Sequence, residues 1–390
     1  KRQGIRYEKG VTIEKIGPGK RVGVIPRIKL KHNPQLPDVV MIATGGTIGT
    51  HVDYMTGGVY MCRDPEEILA MAPEVAKIIN LKKALRPFTL ASEDLTPDEW
   101  KTLAKLVGKE LNSGADGIII THGTDTMHYT SAILSFMLRN LSKPVVLVGA
   151  QRSPDRGSFD GAINLICASY VARSDIAEVT VVMHGTTNDD YCLINRGTKV
   201  RKMHTSRRDA FRPINELPIG KVWPDGRFEI LNNYRKRSNQ KVVVDAKFER
   251  RVAILKAYPG SDPSIIDVYV KHEFRGLIIE GTGFGHVPTQ PLKKESSWIP
   301  HIKDAVESGV FVGITSQTIY GRTNPYVYRN LRLLHNAGAV HLEDMLTEVA
   351  YVKLGWVLGH TKNLRKAKEM MLTNYAGEIT KVSDPRAYLY

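Results

Sequence analysis

Gly117-Ile118-Ile119-Ile120-Thr121-His122-Gly123-Thr124-Asp125-Thr126 opens as an apolar, β-branched run and breaks, with no spacer, into hydroxyls, a glycine and a carboxylate. The apolar part is too short and too branched at Cβ to favour a helix, so it reads as a strand buried on both faces. The same plan occurs upstream, where residues 39–43 run straight into Thr44-Gly45-Gly46-Thr47-Ile48. Residues 145–148 and 179–183 add two further short apolar runs. Between these runs, residues 97–112 and 129–139 space their apolar side chains at helical intervals, and Pro97 stands where a first-turn proline is tolerated. Strands alternating with helices imply an α/β fold with parallel sheets flanked by helices. In such sheets ligands bind in crevices outside the carboxyl ends of the strands, which is where both polar clusters fall.

Working outward, residues 233–250 interrupt the rhythm with Tyr234-Arg235-Lys236-Arg237-Ser238-Asn239-Gln240-Lys241. This charge-rich stretch is expected to be a linker. The alternation then restarts: strand at 252–256, helix at 263–270, strand at 277–280, helix at 298–308, strand at 310–314, and helices at 343–358 and 365–373. The expected organisation is a larger domain over 37–232, a linker over 233–250 and a smaller domain over 251–380. Residues 1–36 stand apart, with short Val/Ile runs divided by Gly10, Gly17 to Gly19 and Gly23, and the chain starts at Lys1. They are expected to be a connector and the remnant of a small β module.

With 390 residues the chain is long enough for two or three domains with sizeable cores. Its 42% hydrophobic and 24% charged residues give no reason to expect bulk disorder. No apolar stretch approaches the ~20 residues of a membrane-spanning helix, so no membrane partner is expected. Cys62, Cys167 and Cys192 fit neither a disulfide framework nor a CxxC metal clip, which points to a reducing, cytoplasmic setting. The net charge of +15 would attract a polyanion such as RNA, although basic surfaces also serve solubility.

Three clusters carry candidate chemistry. At the first, Gly45 and Gly46 permit a tight turn and close approach while Thr47 presents a hydroxyl; a capped turn is the plainer reading. At the second, Thr124 and Asp125 set a nucleophile-type hydroxyl beside a carboxylate. The third is Arg196-Gly197-Thr198-Lys199-Val200-Arg201-Lys202-Met203-His204-Thr205. A threonine hydroxyl needs a base, and a lysine beside a carboxylate can relay a proton. Spacing alone does not choose among Lys199, Arg201 and Lys202. The sequence has no GxxxxGK[ST] phosphate loop, no GxSxG elbow and no HExxH pair, and Gly281-Thr282-Gly283-Phe284-Gly285-His286 does not fit GxGxxG. No cofactor or metal is therefore expected in this chain, and the twelve histidines are scattered.

Residues 43–48, 121–126 and Lys202, in this order, resemble the L-asparaginase family. Leu134-Ser135-Phe136-Met137-Leu138-Arg139, Gly149-Ala150-Gln151-Arg152-Ser153, residues 196–212, Ile279-Glu280-Gly281-Thr282-Gly283 and residues 370–379 are similar, within that family, to the D-type branch that serves archaeal glutamyl-tRNA(Gln) amidotransferases. The resemblance spans roughly residues 37–379 and implies the two-domain asparaginase-like fold and a homodimer with sites near the interface between the two copies. It implies that Thr47 is the nucleophile and that Tyr60, at a lid formed by residues 51–60, assists it. It further implies that Ser92 and Glu93 hold the substrate's α-groups, and that Thr124, Asp125 and Lys202 form a second centre. Backbone N–H groups around Gly46 and Gly123 are then placed to steady an oxyanion. The expected activity is a glutaminase that hydrolyses L-glutamine and passes ammonia to the amidotransferase's E-type partner, which activates Glu-tRNA(Gln) with ATP and Mg. The expected contact with tRNA is mainly through that partner. A stand-alone L-asparaginase and a non-catalytic RNA-binding scaffold are the alternatives. Met61-Cys62-Arg63-Asp64, residues 154–160 and Thr318 depart from the pattern usual in relatives.

Overall fold

The structure is a computed structural model, and it describes residues 32–46, 48, 50–52, 59–61, 72–154 and 156–390. The expected β module over 1–36 lies almost wholly outside the described residues, as does Thr47.

The first domain is built on an eight-stranded sheet. Its middle is parallel: β1 (Asp38–Ala43) lies between β4 (Asn80–Leu85) and β5 (Gly117–Thr121), followed by β7 (Val145–Val148) and β8 (Val179–His184). All five residues of β5 are buried, as are all four of β7, which is what continuous apolar runs require of strands covered on both faces. The helices α1 (Pro97–Asn112), α2 (Met127–Met137) and α3 (Gly161–Arg173) supply that cover. The start of α1 shows why Pro97 fits there: Thr96 caps the helix through the Asp98 N–H, and Glu99 reaches back to the Thr96 N–H.

The sheet is not wholly parallel. β9 (Cys192–Arg196), β12 (Gly220–Val222) and β13 (Phe228–Ile230) extend it antiparallel from β8, and none of these three strands shows in the sequence as a periodic run. They are three to five residues long, and β13 is exposed throughout, so they lack the alternation that marks longer strands. β4 is hidden for another reason: it is an edge strand whose Lys82 and Lys83 face solvent, the usual protection of an unpaired edge. Of the remaining short strands, β2 (Thr50–Val52) and β3 (Val59–Met61) form an antiparallel pair. β10 (Val200–Lys202) pairs with β11 (Phe211–Pro213), and β6 (Leu138–Arg139) with β14 (Val243–Val244).

The second domain carries a four-stranded parallel sheet in chain order: β15 (Val252–Lys256), β16 (Gly276–Gly281), β17 (Phe311–Ser316) and β18 (Val340–His341). Its helices are α4 (Ile265–Lys271), α5 (Trp298–Glu307), α6 (Arg329–Asn336), α7 (Thr347–Leu358) and α8 (Leu364–Leu372). The helix expected from 343 starts only at Thr347, because Glu343 adopts a left-handed φ of 59° and the Asp344 side chain is drawn off to Lys199. The helix expected over 129–139 starts two residues earlier and stops at Met137, where Leu138 and Arg139 turn to pair with β14.

One hydrophobic cluster joins the two domains. It runs from β1, β5 and β7 through α2 to α7 and α8, and α7 is buried along nearly its whole length. A helix buried on all sides is a core helix, and here it is shared by both domains. The 233–250 stretch is an ordered strap. The Arg237 guanidinium donates to the carbonyls of Ser174, Ala172 and Asp116, Tyr234 Oη donates to Asp175 at 2.8 Å, and β14 closes the strap against β6.

Candidate active site

Three segments meet at the carboxyl end of the first sheet. The exit of β1 is tied to that of β5 because the Thr44 N–H and Oγ1 both donate to the Thr121 carbonyl, at 3.1 and 2.9 Å. The segment before Ser92 joins them, with the Leu90 N–H donating to the Thr44 carbonyl at 3.0 Å. The closeness of this packing accounts for the glycines. Gly46 has φ +86°, and a Cβ there would lie 2.4 Å from the Gly123 amide nitrogen. A Cβ on Gly123 would in turn lie 2.8 Å from that of Ser92. No other residue type fits at Gly46 without moving the second strand exit.

Ser92 is fixed from two directions. Its Oγ accepts from the Thr126 N–H at 3.3 Å, and its carbonyl accepts from Thr126 Oγ1 at 2.6 Å. Glu93 beside it is exposed, with a carboxylate oxygen 3.4 Å from Ser92 Oγ. Ser92 and Glu93 therefore stand on the rim formed by Gly123, Thr124 and Asp125.

Lys202 reaches this rim from the end of β10. Its Nζ donates to Thr124 Oγ1 at 2.9 Å and to Asp125 Oδ1 at 2.8 Å. Thr124 is buried, whereas the Asp125 side chain is 66% exposed, so one end of the triad faces the interior and the other opens to an incoming ligand. Geometry settles the choice that spacing leaves open. Lys199 is buried against Asp344 at 2.7 Å, and Arg201, on the opposite face of β10, pairs with Glu348 at 3.4 Å. Side chains alternate along a strand, so only Lys202 can point at Thr124.

Two buried histidines flank the triad: His122 lies within the 121–126 motif but takes no role from it, and the motif does not single out His128. His122 Nδ1 lies 2.7 Å from the Gly123 carbonyl, and burial pushes its imidazole down to about 4. Burial, reinforced by Arg201 and Lys202, brings His128 down to about 3. Burial thus favours the neutral form of both imidazoles. The only signal in the sequence is position: His122 lies inside the 121–126 cluster and His128 two residues after it. Burial also pushes the Glu348 carboxyl up, with Arg201 opposing that rise.

The remaining expected residues are placed only in part. The backbone of Tyr60 lies in β3 opposite His51 of β2. Thr47, the residue after Gly46, falls outside the described residues, as do 53–58 of the expected lid. Among the described residues no group of three or more His, Cys, Asp or Glu is arranged to hold a metal ion.

Two α/β domains sharing a buried helix, with threonine, lysine and aspartate gathered where the first sheet's strands end, define an amidohydrolase-type architecture. The asparaginase N-terminal domain model matches residues 38–235, and the glutaminase/asparaginase C-terminal domain model matches residues 251–371. The chain belongs to the asparaginase family. Within it, the chain is 53% identical to the glutamyl-tRNA(Gln) amidotransferase D-subunit of Pyrococcus furiosus, over 98% of this chain and 87% of that one. It is 56% identical to the protein of the same name from Thermococcus kodakarensis, over 88% and 77% of the two chains. Among solved structures it is similar to the thermostable L-asparaginase of Thermococcus kodakarensis, with 29% identity, a TM-score of 0.79 and coverage of 88% and 100%. L-asparaginase I of Vibrio cholerae matches with 27% identity, a TM-score of 0.73 and coverage of 88% and 99%.

Proposed function

We propose that the chain is the glutaminase component of a tRNA-dependent amidotransferase and hydrolyses L-glutamine to supply ammonia for converting Glu-tRNA(Gln) to Gln-tRNA(Gln). The observation that carries this reading is the Lys202 ammonium, which bridges Thr124 Oγ1 and Asp125 Oδ1 beside the glycine-bound exit that leads to Thr47. High identity to amidotransferase D-subunits over almost the whole chain favours glutamine and an acceptor partner over free asparagine hydrolysis.

In this reading Thr47 attacks the side-chain amide carbon, with Tyr60 assisting, and the carbonyl oxygen becomes a tetrahedral oxyanion steadied by backbone N–H groups near Gly46 and Gly123. Collapse expels ammonia and leaves a threonine ester. Water then attacks, glutamate leaves and the hydroxyl is restored. Lys202, hydrogen-bonded to Thr124 Oγ1 and held by Asp125 Oδ1, is the group placed to exchange a proton with that hydroxyl or with a water held there. Asp125, with Ser92 and Glu93, holds the substrate's α-ammonium and α-carboxylate. The exposed carboxylates of Asp125 and Glu93 suit the ammonium, and Ser92 Oγ suits the carboxylate. ATP and Mg belong to the E-type partner, which also carries most of the contact with Glu-tRNA(Gln). The chain itself works as a homodimer in the cytoplasm.

The test is ammonia release from glutamine by purified variants. Lys202→Ala and Thr124→Ala lower kcat by two or more orders of magnitude with the fold intact by circular dichroism. Lys202→Arg, which keeps the charge but cannot act as the base, stays equally slow. Wild-type turnover in folded Lys202→Ala would overturn the assignment. Asparagine hydrolysis unaffected by partner and tRNA would favour the asparaginase reading.

A further inference from the structure

The charge-rich stretch at 234–241 has no part in the reaction, yet the fold builds a recess from it. That recess, of about 310 Å³, is lined by Arg139, Arg235, Lys236, Ser135, Ser238 and Gln240, among others. It lies at the opposite end of the first sheet's strands from the active site. Thr124 and Asp125 precede α2, whereas Arg139 follows it, and an 11-residue helix separates them by roughly 16 Å. Leu141, also in the wall, comes just before β7, so the recess opens at the amino ends of the strands.

Three cations line this recess, and among the described residues none of them is matched by a carboxylate. Glu178, in the adjoining recess, is committed elsewhere: it pairs with Arg196 and accepts from the backbone N–H of Arg235 at 2.8 Å. Nor is Arg139 a loose surface side chain. Its guanidinium lies 4.9 Å from the centre of the Tyr375 ring and 5.8 Å from that of Trp356, which sets its direction before anything binds. Arg235 and Lys236 are held on the strap by the neighbouring Arg237, which spends its own charge on three carbonyls. Between Ile230 and Asp245 the sequence has no acidic residue, and the strap's own Asp245 and Glu249 pair with His360 and Arg251 instead.

We infer that this recess is a phosphate-binding site that takes a backbone phosphodiester of RNA, with Arg139 as the oriented ligand and Arg235 and Lys236 closing over the charge. Polar walls with serine hydroxyls and an amide suit a phosphate oxygen better than an apolar ligand. The chain's net charge of +15 supplies the long-range attraction that brings a polyanion to it. That the phosphodiester belongs to RNA rests on the function proposed above; the unmatched cations and the oriented arginine do not.

The experiment is fluorescence anisotropy of a labelled glutamine tRNA transcript with the full chain over a range of salt concentrations. Arg235→Ala and Lys236→Ala, both exposed, each weaken binding about 3- to 10-fold and each make the slope of log K against log salt less negative by about 1. Arg139→Lys keeps the charge but loses the stacking and gives an intermediate loss. Glutamine hydrolysis without RNA, measured on the same variants, stays at the wild-type rate, so failure of the glutaminase reading would show separately in the wild type. Wild-type affinity and salt slope in the Arg235→Ala/Lys236→Ala double variant overturns the proposal. So does thermal stabilisation by inorganic phosphate that the double variant loses while its RNA affinity is unchanged, since that outcome marks a free-anion site.

Discussion

His122 and His128 show how single buried residues couple the site to pH. In the folded chain burial holds His122 at about 4 and His128 at about 3, and His341 in the second domain is likewise brought to about 4. In the unfolded chain each returns to ~6.5. Below that value the unfolded state binds protons that the folded state refuses, so the stability contributed is complete above pH ~6.5 and is lost as pH falls through the folded values. For His122 alone the loss by pH 4 is on the order of 3 kcal/mol. Thermal midpoints measured from pH 7 to pH 4 are therefore expected to fall steadily, and His128→Gln should reduce the slope. A flat profile over that window would contradict the burial argument.

At the scale of the element, β10 shows a strand distributing three consecutive tasks. Lys202 serves the site and Arg201 holds Glu348, while Lys199 at the entry to the strand pins the first domain to the second through Asp344. Asp344 is completed by the N–H of Thr380 at 3.0 Å and by the Thr380 hydroxyl. An ion pair of this kind adds little against an apolar substitute, but breaking it from one side strands a buried charge. Lys199→Met is expected to cost roughly 3–5 kcal/mol by chemical denaturation. Lys199→Met combined with Asp344→Asn should recover part of that, because the carboxylate is no longer charged. A single variant as stable as the wild type would mean that water reaches Asp344.

For the whole molecule, the continuous cluster through α2, α7 and α8 means that neither domain closes its core alone. Phe136 of α2 stacks on Trp356 of α7 at 6.0 Å, and Trp356 also meets Tyr375 edge-on at 5.3 Å. Calorimetry is expected to show one cooperative transition for both domains, and Leu354→Ala in α7 should lower stability by roughly 2–5 kcal/mol across that single transition. Two resolved transitions, with only one displaced by the substitution, would show that the domains fold independently.

Runs such as Gly117–Thr121 leave a chain few options, since a short β-branched segment can lose its water only as a strand covered on both faces. Local order alone therefore determined the α/β alternation, the strand exits at Thr44 and Thr121, and the turn that only glycine can make at Gly46. The resemblance added the residue roles. Edge and antiparallel strands such as β4 and β13 left no such mark, because a strand facing solvent carries the same residues as a loop. The strap at 233–250 reads as a linker because its charges look solvated until Arg237 is seen to be satisfied by three carbonyls. Only the tertiary structure selected Lys202 over Lys199 and Arg201. All three are cations within four residues, and what separates them is the partner each meets, Thr124, Asp344 or Glu348, brought up from distant parts of the chain by the packing of two sheets.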